Sequence, residues 1–90
     1  MKKAIITVIG KDKVGIIYGV TKVLSENSIN ILDISLTIME GMFTMMMIVD
    51  IENTGVDFET VSDKLSDASK ELGVDIRIQL ESIFESMHRI

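Results

Sequence analysis

The chain contains no cysteine, which excludes disulfides, cysteine-ligated zinc and thiol nucleophiles at once. Histidine occurs only as His88, and arginine only as Arg77 and Arg89. No nucleophile–base pairing can be assembled around them, so no catalytic residue is assigned. His88 reads as a surface residue rather than a general acid–base. Positive charge is also in short supply: nine Lys and Arg stand against fourteen Asp and Glu, a net charge of -5. Nucleic acid is therefore not an expected partner, because displacing its counterions takes a basic face. No apolar run approaches the length that spans a bilayer. Lys2 and Lys3 precede an apolar stretch too short for a signal-peptide core and lacking a cleavage site, so a cytoplasmic protein without membrane contact is expected. Ninety residues make one domain, 1–90, with a modest core that a partner subunit would help to stabilise.

What the chain does have is concentrated between Ala4 and Asn30. The run Ala4–Ile9, rich in Ile and Val, reads as a buried strand stopped by Gly10. From Gly15 the period changes, and Ile16, Val20, Val23 and Leu24 fall on one stripe of a helix. Glu26, Asn27 and Ser28 end that helix, and a second strand starts at Ile29. Lys11–Gly15 is then the turn into a helix N-terminus, whose first N–H groups lack intrahelical partners and, with the helix dipole, favour an anion. Gly10 and Gly15 have P-loop spacing, but Ile16 and Ile17 stand where that motif needs Lys and Ser or Thr. Gly10, Gly15 and Gly19 do not fit the dinucleotide fingerprint either. A nucleoside triphosphate is thus disfavoured. A small carboxylate and a plain strand-to-helix turn both remain open at this point.

The rest of the chain completes a pattern without linker or low-complexity tract. Leu32, Ile34, Leu36 and Ile38 alternate with polar residues as a half-buried strand does. Glu40-Gly41 reads as a two-residue hairpin turn. The register would set Met39 against Met42, Ile38 against Phe43, Leu36 against Met45, Ile34 against Met47 and Leu32 against Val49. A charge at Leu36 would then fall among core side chains. Met42, Met46 and Ile48 fall on the other face and need a cover, such as a tail carrying Ile83, Phe84 and Met87 or another subunit. Without Cys or a nearby His, the methionines Met42, Met45, Met46 and Met47 read as adaptable packing and no metal site is assigned.

A second helix is expected from Asp57 as N-cap through Phe58, Val61, Leu65, Ala68 and Leu72, closed by Gly73. Val74, Ile76, Ile78 and Leu80 give a fourth strand, and Ser82-Ile83-Phe84-Glu85 has capping-box spacing for a short C-terminal helix. With right-handed crossovers, this order is an α+β ferredoxin-like βαββαβ sandwich: a four-stranded antiparallel sheet in order 4-1-3-2 with two helices on one face. Many activities share that fold, so it decides none.

The segment TVIGKDKVGIIYGVTKVLSENSINILDISLTI resembles an ACT domain, through Asp12, Gly15 and Ile16 in a D-x-x-G-I turn and Asn30-Ile31 at the second strand. The whole chain is similar to the small stand-alone ACT proteins related to the glycine-cleavage regulator, including FTMMMIVDI and SIFESMHRI. Many ACT domains carry Pro before the turn glycine; here Val14 occupies that position, which leaves the turn intact but with more entropy to lose. The resemblance implies a non-catalytic regulatory module, working as a homodimer without cofactor, that binds a small amino acid or related carboxylate between two copies. Backbone N–H groups around Val14, Gly15 and Ile16 would receive the carboxylate, and Asp12 with the Asn30-Ile31 strand start would face the ammonium. The alternative is an empty-pocket module for oligomerisation or docking to a protein partner. An acylphosphatase-like enzyme would need an arginine in the anion loop, where there is none.

Overall fold

Two consecutive residues with positive φ, Glu40 at 52° and Gly41 at 80°, close a type I′ hairpin, the turn whose twist matches paired strands. Around it the computed structural model, which describes residues 1–82, places β1 (Lys3–Lys11), α1 (Ile16–Glu26), β2 (Asn30–Met39), β3 (Met42–Asp50), α2 (Phe58–Leu72) and β4 (Asp75–Leu80). The strands form one antiparallel sheet in the order β2-β3-β1-β4. This is the expected βαββαβ sandwich. The final helix expected beyond Ser82 lies outside the described residues, as do Phe84, Met87, His88 and Arg89.

The core lies between the sheet and the helix pair. Ala4, Ile6 and Val8 of β1 and Phe43, Met45, Met47 and Val49 of β3 meet Ile16, Val20 and Leu24 of α1 and Val61, Leu65 and Ala68 of α2. The stripe read at helical spacing is thus the buried one, and full burial of each large side chain is worth roughly 1.5–3 kcal/mol. The helices approach closely at Gly19, where a Cβ would stand 2.7 Å from Leu72 Cδ1. Helix α2 is framed at both ends: Asp57 accepts the Thr60 N–H at 2.8 Å, and Gly73 terminates the helix in the left-handed region.

Three expectations are corrected. β1 does not stop at Gly10 but continues through Lys11, with Gly10 paired to Phe43 and Lys11 to Met42. Gly10 serves close packing instead, since a Cβ there would lie 2.7 Å from Val74 Cγ1. The hairpin register holds from Met39↔Met42 to Ile34↔Met47, but Val49 pairs with Ile31, because Leu32 is the extra residue of a bulge between Ile31 and Asp33. Finally, the apolar row of β2 shares the core face, but that face is left open to solvent instead of being the buried side of the strand. Leu32, Ile34, Leu36 and Ile38 are 38, 47, 42 and 53% exposed, because β2 is an edge strand and neither helix packs substantially on it. Leaving a large aliphatic side chain about half exposed forgoes roughly 1 kcal/mol.

Two outcomes follow. Met45→Asp, at a fully buried position, will abolish the cooperative melting transition, whereas Leu36→Asp will keep a wild-type far-ultraviolet circular dichroism spectrum. Hydrogen bonds from Thr60, side chain and backbone, hold the Asp57 carboxyl below its usual range. A group whose folded pKa is depressed contributes stability above its unfolded pKa and loses it as pH falls through the folded value. Melting temperature will therefore fall in acid, and Asp57→Asn, which keeps the cap acceptor, will flatten that part of the profile.

Candidate functional site

Helix α1 begins without the device that starts α2. Its N-cap is Gly15, at φ 96° and ψ -4°, with no side-chain cap and no acidic residue in the first turn. The first helical bond runs from the Gly19 N–H to the Gly15 carbonyl at 2.9 Å. Asp12, the acid in the preceding loop, does not cap the helix. The first-turn N–H groups of Ile16, Ile17 and Tyr18 thus point out of a helix end that carries the positive pole of the dipole and no carboxylate of its own. Nothing lies within 4 Å of where a Gly15 Cβ would sit, so the approach to these donors is open.

The loop is anchored on two sides. The Asp12 N–H donates to the Gly41 carbonyl at 2.8 Å, tying the loop to the hairpin turn. On the other side, a Cβ on Gly73 would lie 3.1 Å from Lys13 Nζ, which places that ammonium at the C-terminal, negative end of α2. Neither contact was legible from local pattern, because both depend on how distant elements come together. Ile16 is buried in the core, so this residue offers only its backbone, and Val14 projects fully into solvent.

Asn30 and Ile31 lie elsewhere. Asn30 pairs with Asp50, which pairs with Lys3, at the end of the sheet away from the hairpin. The anion turn adjoins Lys11↔Met42 and Gly41 at the other end. Ten residues of β2 separate these ends by roughly 30 Å at the strand rise per residue. One chain therefore brings together Asp12, Val14, Gly15 and Ile16 but not Asn30 and Ile31. A cleft of about 330 Å³ between α1 and α2 begins at Gly15 and includes Tyr18, Lys22, Lys64 and Glu71, yet neither Asp12 nor Asn30 lines it. Among the described residues, no group of three His, Cys, Asp or Glu is placed to hold a metal. None of the described helices is long and apolar enough to cross a membrane.

Residues 2–79, which include this strand–turn–helix with its uncapped, glycine-opened N-terminus on the βαββαβ sandwich, match the ACT domain family model. The chain is 52% identical to a UPF0237 protein of Methanocaldococcus jannaschii over 90 residues, covering 100% of both. An ACT domain protein from Streptococcus pneumoniae superimposes with a TM-score of 0.80 at 43% identity, over 93% of this chain and 94% of that one. A glycine cleavage system transcriptional repressor shares the fold, with a TM-score of 0.74 at 20% identity over 88% of this chain and 45% of its own. The chain belongs to the ACT domain family, among its small stand-alone UPF0237 proteins. Such modules are typically regulatory.

The left-handed N-cap sets an expected outcome for substitution. Gly15→Val meets no steric obstacle but forces a β-branched residue to positive φ, at a cost of about 1–3 kcal/mol. Gly15→Asn tolerates that conformation better, so in thermal denaturation the valine variant will melt several degrees below the asparagine one.

Proposed function

We propose that this protein is a non-catalytic cytoplasmic sensor that binds a small amino acid, or a related carboxylate, between two copies of the chain. The observation that carries the reading is the α1 N-terminus: open backbone donors, no cap, no competing acid, and a glycine that lets a ligand close in. A carboxylate satisfies those donors. An ammonium needs oxygens, and on this reading they come from Asp12 and from Asn30 at the head of β2. The two halves lie at opposite ends of one sheet. A single chain cannot close the site, but a two-fold axis that sets β2 of one copy antiparallel to β2 of the other brings each Asn30 towards the other copy's turn.

Ligand size limits affinity. A glycine- or serine-sized molecule has about six heavy atoms, and at roughly 1 kcal/mol per atom its dissociation constant is no tighter than tens of micromolar. Thermal-shift screening with millimolar amino acids is therefore the appropriate test. At about a hundredfold excess over the dissociation constant, binding adds roughly 2.7 kcal/mol to folding and raises the melting temperature by several degrees. Gly15→Val will abolish the rise by obstructing the carboxylate, and Asn30→Ala will weaken it. A wild-type melting temperature that no amino acid moves would favour the second reading, a protein-interaction module. That reading draws on Met39, Met42 and Met46, which are exposed on the sheet face away from the core, where unbranched thioether side chains adapt to partner surfaces.

A further inference from the structure

The sheet face turned away from the helices is not evenly open. On its two central strands it carries Ile5, Thr7 and Ile9 of β1, paired in turn with Ile48, Met46 and Thr44 of β3. None of the six is charged. Exposure falls along these pairs with distance from the hairpin: Ile9 is 45% exposed and Met46 42%, Thr7 and Ile48 are partly buried, and Ile5 is only 7% exposed. Strand neighbours alone do not explain that value, because Ile9 stands on the same strand and the same face with neighbours on both sides. Ile5 is covered from above the sheet.

Among the described residues, no element supplies the cover. Helices α1 and α2 pack on the opposite face of the sheet. The N-terminus is tied to the end of the sheet rather than laid over it: the Lys2 N–H donates to Asp50 Oδ1 at 3.3 Å, and the Met1 ammonium to Glu52 Oε1 at 3.1 Å. Met1 itself is mostly exposed. The connection from β3 to α2 runs on the helix side, since Ile51 and Val56 join the core. Strand β4, by contrast, ends where a cover is needed. Gln79 pairs with Ile5 and Leu80 with Ala4, and the backbone turns helical at Glu81 and Ser82.

We propose that the cover is the chain's own segment 83–90, laid across the outer face with Ile83, Phe84 and Met87 seated on Ile5 and Ile48. The inference is independent of the ligand reading above. Ile83, Phe84, Met87 and Ile90 recur at i, i+1, i+4 and i+7, one stripe of a helix, and Glu85, Ser86, His88 and Arg89 fall between them. Eight helical residues rise about 12 Å, and β3 lies two strand spacings, about 10 Å, from β4. A segment that leaves β4 beside Ile5 therefore reaches Ile48. A second copy is the wrong occupant for this end of the face. The burial of Ile5 is complete within one chain, and two sheets packed face to face would cover Ile9 as well as Ile5. The outer face is thereby divided: the Ile5 end is closed by the chain itself, and the Met39 and Met42 end stays open to solvent.

The test reads access to Ile5 in the full chain. Because the chain has no cysteine, Ile5→Cys and Ile9→Cys each place a single thiol on the same face of β1, and their rates of reaction with dithiobis(nitrobenzoate) in native buffer can be compared directly. Ile5→Cys will react about tenfold more slowly or less, and adding Phe84→Asp with Met87→Asp will bring it close to the rate of Ile9→Cys without changing the latter. Equal rates in the two single variants overturn the proposal, as does a slow Ile5→Cys that the paired aspartates do not accelerate. A wild-type measurement decides the matter should the aspartate variant fail to fold. Nuclear Overhauser cross-peaks will join the Phe84 ring to the Ile5 and Ile48 methyl groups, and none of them will connect labelled with unlabelled chains in a mixed isotopic sample. Their absence, or their appearance between chains, overturns the assignment to the chain's own segment.

Discussion

The Glu40-Gly41 turn is the constraint on which the rest of the molecule depends. Both residues sit at positive φ, so the loop is closed in two residues and the pairing of β2 with β3 has one register. That register puts Phe43, Met45 and Met47 under the helices and Ile34, Leu36 and Ile38 beside them on the same face. It also decides which amides of β2 look outward. The Gly41 carbonyl holds the Asp12 N–H, so the turn that sets the sheet also fixes one end of the loop leading into α1.

A module built this way is finished as a fold and unfinished as a surface. The core between β1, β3 and the two helices contains the largest fully buried side chains, among them Phe43, Ile6, Ile16 and Leu65, with no buried polar or charged residue among the described residues. Beyond it lies an edge strand with unpaired backbone and an uncovered aliphatic row. At one end of that strand is an uncapped helix terminus, and at the other is Asn30. On the proposed two-copy reading, a second copy related by a two-fold axis would meet all three conditions together: the open helix terminus, the open strand edge and the apolar row.

Much of the fold was legible in the sequence because it is written in local periodicity. The stripe of Ile16, Val20 and Leu24, the Asp57 and Gly73 stops of α2 and the alternation from Ile34 to Ile38 each follow from neighbouring residues. What escaped was set by distant contacts. Gly10 read as a strand stop, yet its lack of a side chain answers to Val74 across the sheet. Leu32 alternated like its neighbours, but the bulge displaced it. The β2 row was read as half-buried because alternation reports which face a residue takes, not whether a helix covers that face. The edge position of β2 followed from the 4-1-3-2 order and carried the signal for its exposure. The turn Asp12–Ile16 was found as one cluster, while the separation of Asn30 and Ile31 from it needed the sheet register.

The central claim is that the β2 edge is completed by a second copy of the chain, and its mass in solution tests this most directly. The chain mass is 10.0 kDa, so sedimentation equilibrium of the wild-type protein distinguishes one copy from two without ambiguity. The account predicts a dimer mass that persists on dilution to low micromolar concentration. A monomer mass throughout that range would contradict it.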